Sequence, residues 1–136
     1  MKHFFQIRSI LRYIPLVVVS VAIVYLSSRE GLQSDFSQVI DNILRKGAHI
    51  FVYFLLFHAG WFAFYGKGYL RLSRKAFPRA SALLISGCLL FALSDEYHQI
   101  FVAGRTPEPM DVVFDAIGFF GGYLMVSLFW KGFPNK

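Results

Sequence analysis

The stretch GAHIFVYFLLFHAGWFAFYG, residues 47–66, decides the fold. Its twenty residues carry no formal charge and lie between Lys46 and Lys67. At about 1.5 Å per residue, a helix of that length covers the roughly 30 Å of a bilayer's hydrocarbon. Three shorter charge-free windows accompany it: Tyr13 to Ser28, Ala80 to Ser94, and Ala116 to Trp130. Each of these must extend past a charge to span, and the charges it takes in are the informative ones. The reading is an all-α integral membrane protein of one domain, residues 1–136. It is a four-helix transmembrane bundle, with helices over about 10–28, 46–66, 78–99 and 111–131.

Composition excludes the other classes. Apolar residues make up 56% of the chain and charged residues 16%, against the quarter usual in a soluble globule. So small a domain could not hide that much apolar surface in a soluble core, and disordered chains have the opposite composition. The single cysteine, Cys88, excludes a disulfide scaffold. Lys2, Arg8 and Arg12 precede an apolar run, as in a signal peptide. A cut after Ser27 or Ser28 would place Tyr25 or Leu26 at −3, where a small residue is needed. A retained first helix is therefore expected.

Orientation follows from Lys and Arg in the short loops. The N-terminal arm, the loop from Lys67 to Arg79 and the C-terminal tail together hold ten basic residues and no acid. The opposite side holds Arg29, Arg45, Lys46 and Arg105 with all eight acids. Both termini are expected in the cytoplasm, with the two acidic loops facing outward. The net charge of +6 reads as an orientation device rather than a nucleic-acid footprint.

Ahead of helix two, Phe36, Val39, Ile40, Ile43 and Leu44 repeat at i, i+3, i+4, i+7 and i+8. This predicts a short amphipathic helix on the outer leaflet before helix two, or an outward extension of helix two. Pro78 suits the first turn of helix three, and Pro107 and Pro109 break the chain before helix four. The aromatic run Phe51, Tyr53, Phe54, Phe57, Trp61, Phe62, Phe64 and Tyr65 reads as lipid-facing and interfacial surface.

Polar residues gather at the outward helix ends. Lys46, His49 and Tyr53 share one face of helix two, and Glu96 and Gln99 are neighbours on helix three. Arg105 follows in the loop, and Asp111, Asp115, Gly118 and Gly122 form one stripe on helix four. A charge placed at mid-bilayer costs about 2.5–3.5 kcal/mol on insertion scales, so these carboxylates should face the interior and pair. The expected cations are Lys46 and Arg105, with His49 if protonated; Arg105 can grip a carboxylate bidentately. The glycines Gly118 and Gly122 allow close helix packing. The picture is a polar cup opening outward.

The run Lys46-Gly-Ala-His49-x-x-x-Tyr53, then Glu96-x-x-Gln99-x-Phe101-x-x-Gly104-Arg105, then Asp111 and Asp115-x-x-Gly118, resembles the VanZ-like family of small membrane proteins. Leu26-Ser27-Ser28 adds to the likeness, which runs from Leu26 to Gly122. The resemblance implies an envelope protein that lowers sensitivity to antibiotics acting on cell-wall precursors, such as glycopeptides. Where the family usually has Asn, this chain has Asp115.

Two functions fit the cup, beside a purely structural polar network. One is binding of an anionic lipid headgroup or a lipid-linked cell-wall precursor fragment by Arg105 and Lys46, with His49, Tyr53 and Gln99 as neutral partners. The other is a membrane hydrolase or transferase, with Glu96 or Asp111 as base, His49 relaying the proton and Arg105 stabilising charge. No metal and no cofactor is expected, since no tight ligand spacing occurs and Lys46 and Arg105 stand nearby. No serine sits in a nucleophile elbow, and membrane lipids are the expected surroundings. Cysteine substitutions at Arg105 and Arg71, made in a Cys88→Ala background, should label from opposite sides: the first with impermeant reagent on intact cells, the second only after permeabilisation.

Overall fold

The computed structural model describes residues 10–29, 38–66, 72–73, 75–103, 105 and 107–131. Helices α1 (Ile14–Ser27), α2 (Gln38–Tyr65), α3 (Ala76–Gln99) and α4 (Pro109–Lys131) account for nearly all of them, and no strand occurs among the described residues. Three helical segments are long and apolar enough to cross a membrane: Val39–Tyr65, Ala76–Gln99 and Pro109–Trp130. The first helix differs from the expected 10–28. Its 14 residues reach about 21 Å, short of the bilayer core, because the backbone turns at Arg12 and Tyr13 and Pro15 enters its first turn.

The amphipathic segment is settled by helix continuity. Residues 38–45 belong to one uninterrupted α2 of 28 residues, so no separate helix stands there. At about 42 Å, α2 is some 12 Å longer than the hydrocarbon is thick. Phe36 lies outside the described residues. Pro78 falls in the first turn of α3 as expected, and Pro109 itself opens α4, two residues ahead of Asp111. Proline suits both places because those amides have no helical acceptor.

α2 is the axis of the bundle. It packs most extensively on α4, then on α1, and only sparsely on α3 although the two are consecutive. Tyr53, Phe57 and Trp61, spaced i, i+4, i+8, are buried and form its inward stripe. This corrects the expectation that the whole aromatic run faces lipid; Phe51, Phe62 and Phe64 do so, at 47–60% exposure. At the end of the bundle near Phe77, that ring stacks on Trp130 with centroids 4.3 Å apart and meets Trp61 at 5.4 Å. The Trp130 indole donates to the Leu72 carbonyl at 3.3 Å.

Gly118 explains why α2 and α4 come so close. A Cβ there would run into the Ile50 carbonyl oxygen and stand 3.1 Å from the Phe54 nitrogen, both backbone atoms that cannot turn aside. At Gly122 a Cβ would lie 3.0 Å from Phe57 Cδ1. The expected small-residue stripe is thus the α2–α4 contact. Gly118→Ala should destabilise by about 1–3 kcal/mol through overpacking, read as a lower melting temperature in detergent. Gly121→Ala, whose Cβ would meet Phe54 at an ordinary 3.8 Å, should leave it unchanged or raise it slightly.

Candidate functional site

The α2–α4 contact sets the polar register. Ile50 lies on Gly118, so His49 on α2 comes opposite Asp115, three residues before that glycine. His49 Nδ1 and Asp115 Oδ1 are 2.8 Å apart. One helical turn earlier on α4, Asp111 Oδ2 stands 3.6 Å from His49 Nε2 and 3.6 Å from an Arg45 nitrogen. Arg45 and His49 are four residues apart on α2, so both reach the same carboxylate. Both aspartates are buried, Asp111 at 0% and Asp115 at 2% exposure.

The exposed side of the cluster, its mouth, carries an acid that the sequence reading left out. Glu108, immediately before α4, accepts from Arg45 at 2.6 Å and lies 3.6 Å from Lys46 Nζ. Lys46 also sits 4.6 Å above the Phe114 ring, a favourable place for an ammonium. α3 supplies the far wall. The Gln99 amide nitrogen donates to Asp95 at 3.4 Å, and its oxygen accepts from Arg105 Nε at 3.3 Å. Glu96 is near enough to Asp111, Asp95 and His49 to feel their charge. Ser27, at the end of α1, lies beside Asp95 without hydrogen-bond geometry.

All eight expected residues therefore stand at one end of the bundle, but their pairing differs from expectation. His49, Asp111 and Asp115 join directly, and Lys46 attaches at the mouth through Glu108. Gln99 links to Arg105. Tyr53 is fully buried, with Asp115, Asp95 and Glu96 around it. Arg105 grips no carboxylate among the described residues. The guanidinium that does is Arg45, which the amphipathic reading set aside as merely off the apolar stripe. Its signal was present: residues 45, 49 and 53 repeat every four positions on one helix face. Asp95, four residues before Gln99, carried the same signal on α3.

Several buried polar atoms are left over. Both Asp111 oxygens, Asp95 Oδ1, Glu96 Oε1, Ser27 Oγ and the Tyr53 hydroxyl have no hydrogen-bond partner among the described residues. Buried polar atoms of this kind are normally satisfied by protein or by water. Four helices contribute these atoms, and the cluster holds both donors and acceptors. Among the described residues, no group of three or more His, Cys, Asp or Glu side chains is placed to hold a metal ion.

Charge at the mouth has a definite sign with pH. The hydrogen bond from Arg45, reinforced by the nearby Lys46, holds the Glu108 carboxyl below its ordinary value of 4.5. A carboxylate depressed on folding stabilises the fold above its unfolded pKa, and that contribution is lost as pH falls through the folded one. The melting temperature of the parent should fall more steeply below about pH 4.5 than that of Glu108→Gln, which has no such proton to gain. Equal slopes in a detergent melt series would remove the Arg45–Glu108 pair from the stability account.

Comparison with curated proteins and with solved structures gives no match. The VanZ/LLP1 family model matches residues 2–130. That span takes in all four helices except the last residue of α4, and every member of the polar cluster; the chain belongs to the VanZ/LLP1 family.

Proposed function

We propose that this envelope membrane protein uses the polar cluster to hold the anionic headgroup of a lipid or of a lipid-linked cell-wall precursor. It faces outward from the bacterial inner membrane with both termini in the cytoplasm, and it lowers sensitivity to glycopeptide antibiotics. The loop charges support that orientation: ten basic residues without an acid on one side, all eight acids on the other.

The observation that carries the reading is Glu108. Its carboxylate, 41% exposed, rests on Arg45 and Lys46 at the mouth. It occupies the place a phosphate or carboxylate of a ligand would take, and an exposed side chain beside two prolines can be exchanged for a better anion. Arg45 would then present its planar fork, and Arg105 a second cation beside Gln99. Deeper in, the Tyr53 hydroxyl would donate to the ligand's polar groups, while the Asp111 oxygens accept from its hydroxyl or amide hydrogens. Asp115 in the usual Asn position adds an acceptor that keeps His49 engaged.

A membrane hydrolase or transferase is the second reading, favoured by one observation. An imidazole between two buried carboxylates, 2.8 Å from one and 3.6 Å from the other, is a competent proton relay. Its Nε2 becomes available to a substrate when Asp111 turns away.

Inorganic pyrophosphate serves as the binding probe for purified protein in nanodiscs. Glu108→Gln should bind it more tightly than the parent, and Arg45→Gln should weaken binding about ten-fold or more. In cells, Arg45→Gln should lose any protection against teicoplanin while accumulating like the parent. If neither substitution moves pyrophosphate affinity, the headgroup reading fails. Conversion of envelope lipids by the purified protein, detected by mass spectrometry and lost in His49→Gln, would move the assignment to the enzyme.

A further inference from the structure

The second feature of the bundle lies toward the opposite end from the polar cluster. A cavity of about 360 Å³ opens between α1, α2 and α3, within the size range of small-molecule pockets. Its walls include Leu56 and Gly60 of α2, Leu83, Gly87 and Phe91 of α3, and Ser20 of α1. It exists because α2 and α3 pack sparsely and because two of the wall positions have no side chain. A Cβ on Gly87 would meet nothing within 4 Å.

We propose that this cavity is a binding site for an anionic phospholipid, with one acyl chain in the groove and the phosphate on Arg79. Three observations converge on that occupant. The first is position: the α2 and α3 walls lie inside the segments Val39–Tyr65 and Ala76–Gln99, so hydrocarbon chains are the surrounding solvent. An apolar hollow of this kind does not hold water. The second is length. From Leu83 to Phe91 the groove runs eight residues, about 12 Å, within the roughly 15 Å of one leaflet's hydrocarbon.

The third is charge. Arg79, Leu83, Gly87 and Phe91 follow one another every four residues, so a single stripe of α3 leads from a cation to the groove floor. Arg79 is exposed, one turn outside the groove, and Lys75 is exposed one turn further out. Between Lys67 and Ser94 the chain has five basic residues and no acid. A headgroup at this end therefore meets positive charge alone, which selects an anionic lipid over a zwitterionic one. The site is separate from the polar cluster, and the loss of either leaves the other standing.

Native mass spectrometry of the full chain released from nanodiscs of equal phosphatidylglycerol and phosphatidylcholine tests this directly. The parent should retain one phosphatidylglycerol per chain in preference to phosphatidylcholine. Arg79→Gln should lower that preference about five-fold, the effect of one arginine at a charged leaflet. Gly87→Leu, whose Cβ meets nothing within 4 Å, should abolish the Arg79-dependent retention of phosphatidylglycerol, while Arg45→Gln in the polar cluster should leave that retention at the parent's level. If Gly87→Leu fails to accumulate, Ser20→Leu narrows the groove from α1 and is read the same way. Equal retention of the two lipids by the parent would overturn the proposal. So would parent-like retention in the filled variant, or a lipid-free dimer in place of a lipid-bound chain.

Discussion

Everything at the polar end depends on α4 lying directly on the backbone of α2. Gly118 permits it, since any side chain there would meet the Ile50 carbonyl oxygen. The contact fixes both rotation and height of α4, and the aspartates at 111 and 115 arrive opposite His49 as a consequence. Were α4 an ångström or two farther out, the 2.8 Å contact between His49 and Asp115 would open. The buried carboxylates would then face apolar surroundings with no cation in reach, an arrangement the membrane interior strongly disfavours.

The second constraint is the uneven sharing of cations. Arg45 and Lys46 are both drawn to the exposed Glu108, so the deeper Asp111 has its two nearest cationic partners only at 3.6 Å. Buried ion pairs rarely add net stability over apolar packing. Among the described residues, the Asp111 carboxylate and the Tyr53 hydroxyl find no hydrogen-bond partner, which makes the cluster poorer still as scaffolding. Under the proposed headgroup reading, the exposed Glu108 carboxylate is the group a ligand anion would replace.

Membrane insertion, three of the spans and the gathering of polar residues at one end were legible in the residues; Arg45, Asp95 and Glu108 were not singled out. Charge-free length and helical spacing are local properties, and they placed Lys46, His49, Tyr53, Glu96, Gln99, Asp111 and Asp115 at one end. Pairing was not legible. Arg45 looked like the polar side of an amphipathic segment, and Glu108 looked like a loop acid between two prolines. Arg105, closer along the chain to the helix-four acids, turns instead to Gln99 on α3. Likewise Tyr53, Phe57 and Trp61 could not be told from lipid-facing aromatics, because hydropathy treats a protein core and a bilayer as the same solvent. The first helix fell short of the expected span because Pro15 and the turn before it act on backbone geometry, which apolar length ignores.

By itself the amino-acid sequence determined that the chain enters a membrane as helices, which faces of those helices are polar, and which family pattern it carries. These follow from short-range periodicity and from transfer energies of single residues. Only the tertiary structure decided who meets whom: Arg45 with Glu108, His49 with two aspartates, and a groove between two helices adjacent in the chain. Those outcomes hang on the approach distance of α2 and α4 and on the gap between α2 and α3. Such distances are set by steric contact between residues remote in the chain, a quantity no local pattern contains.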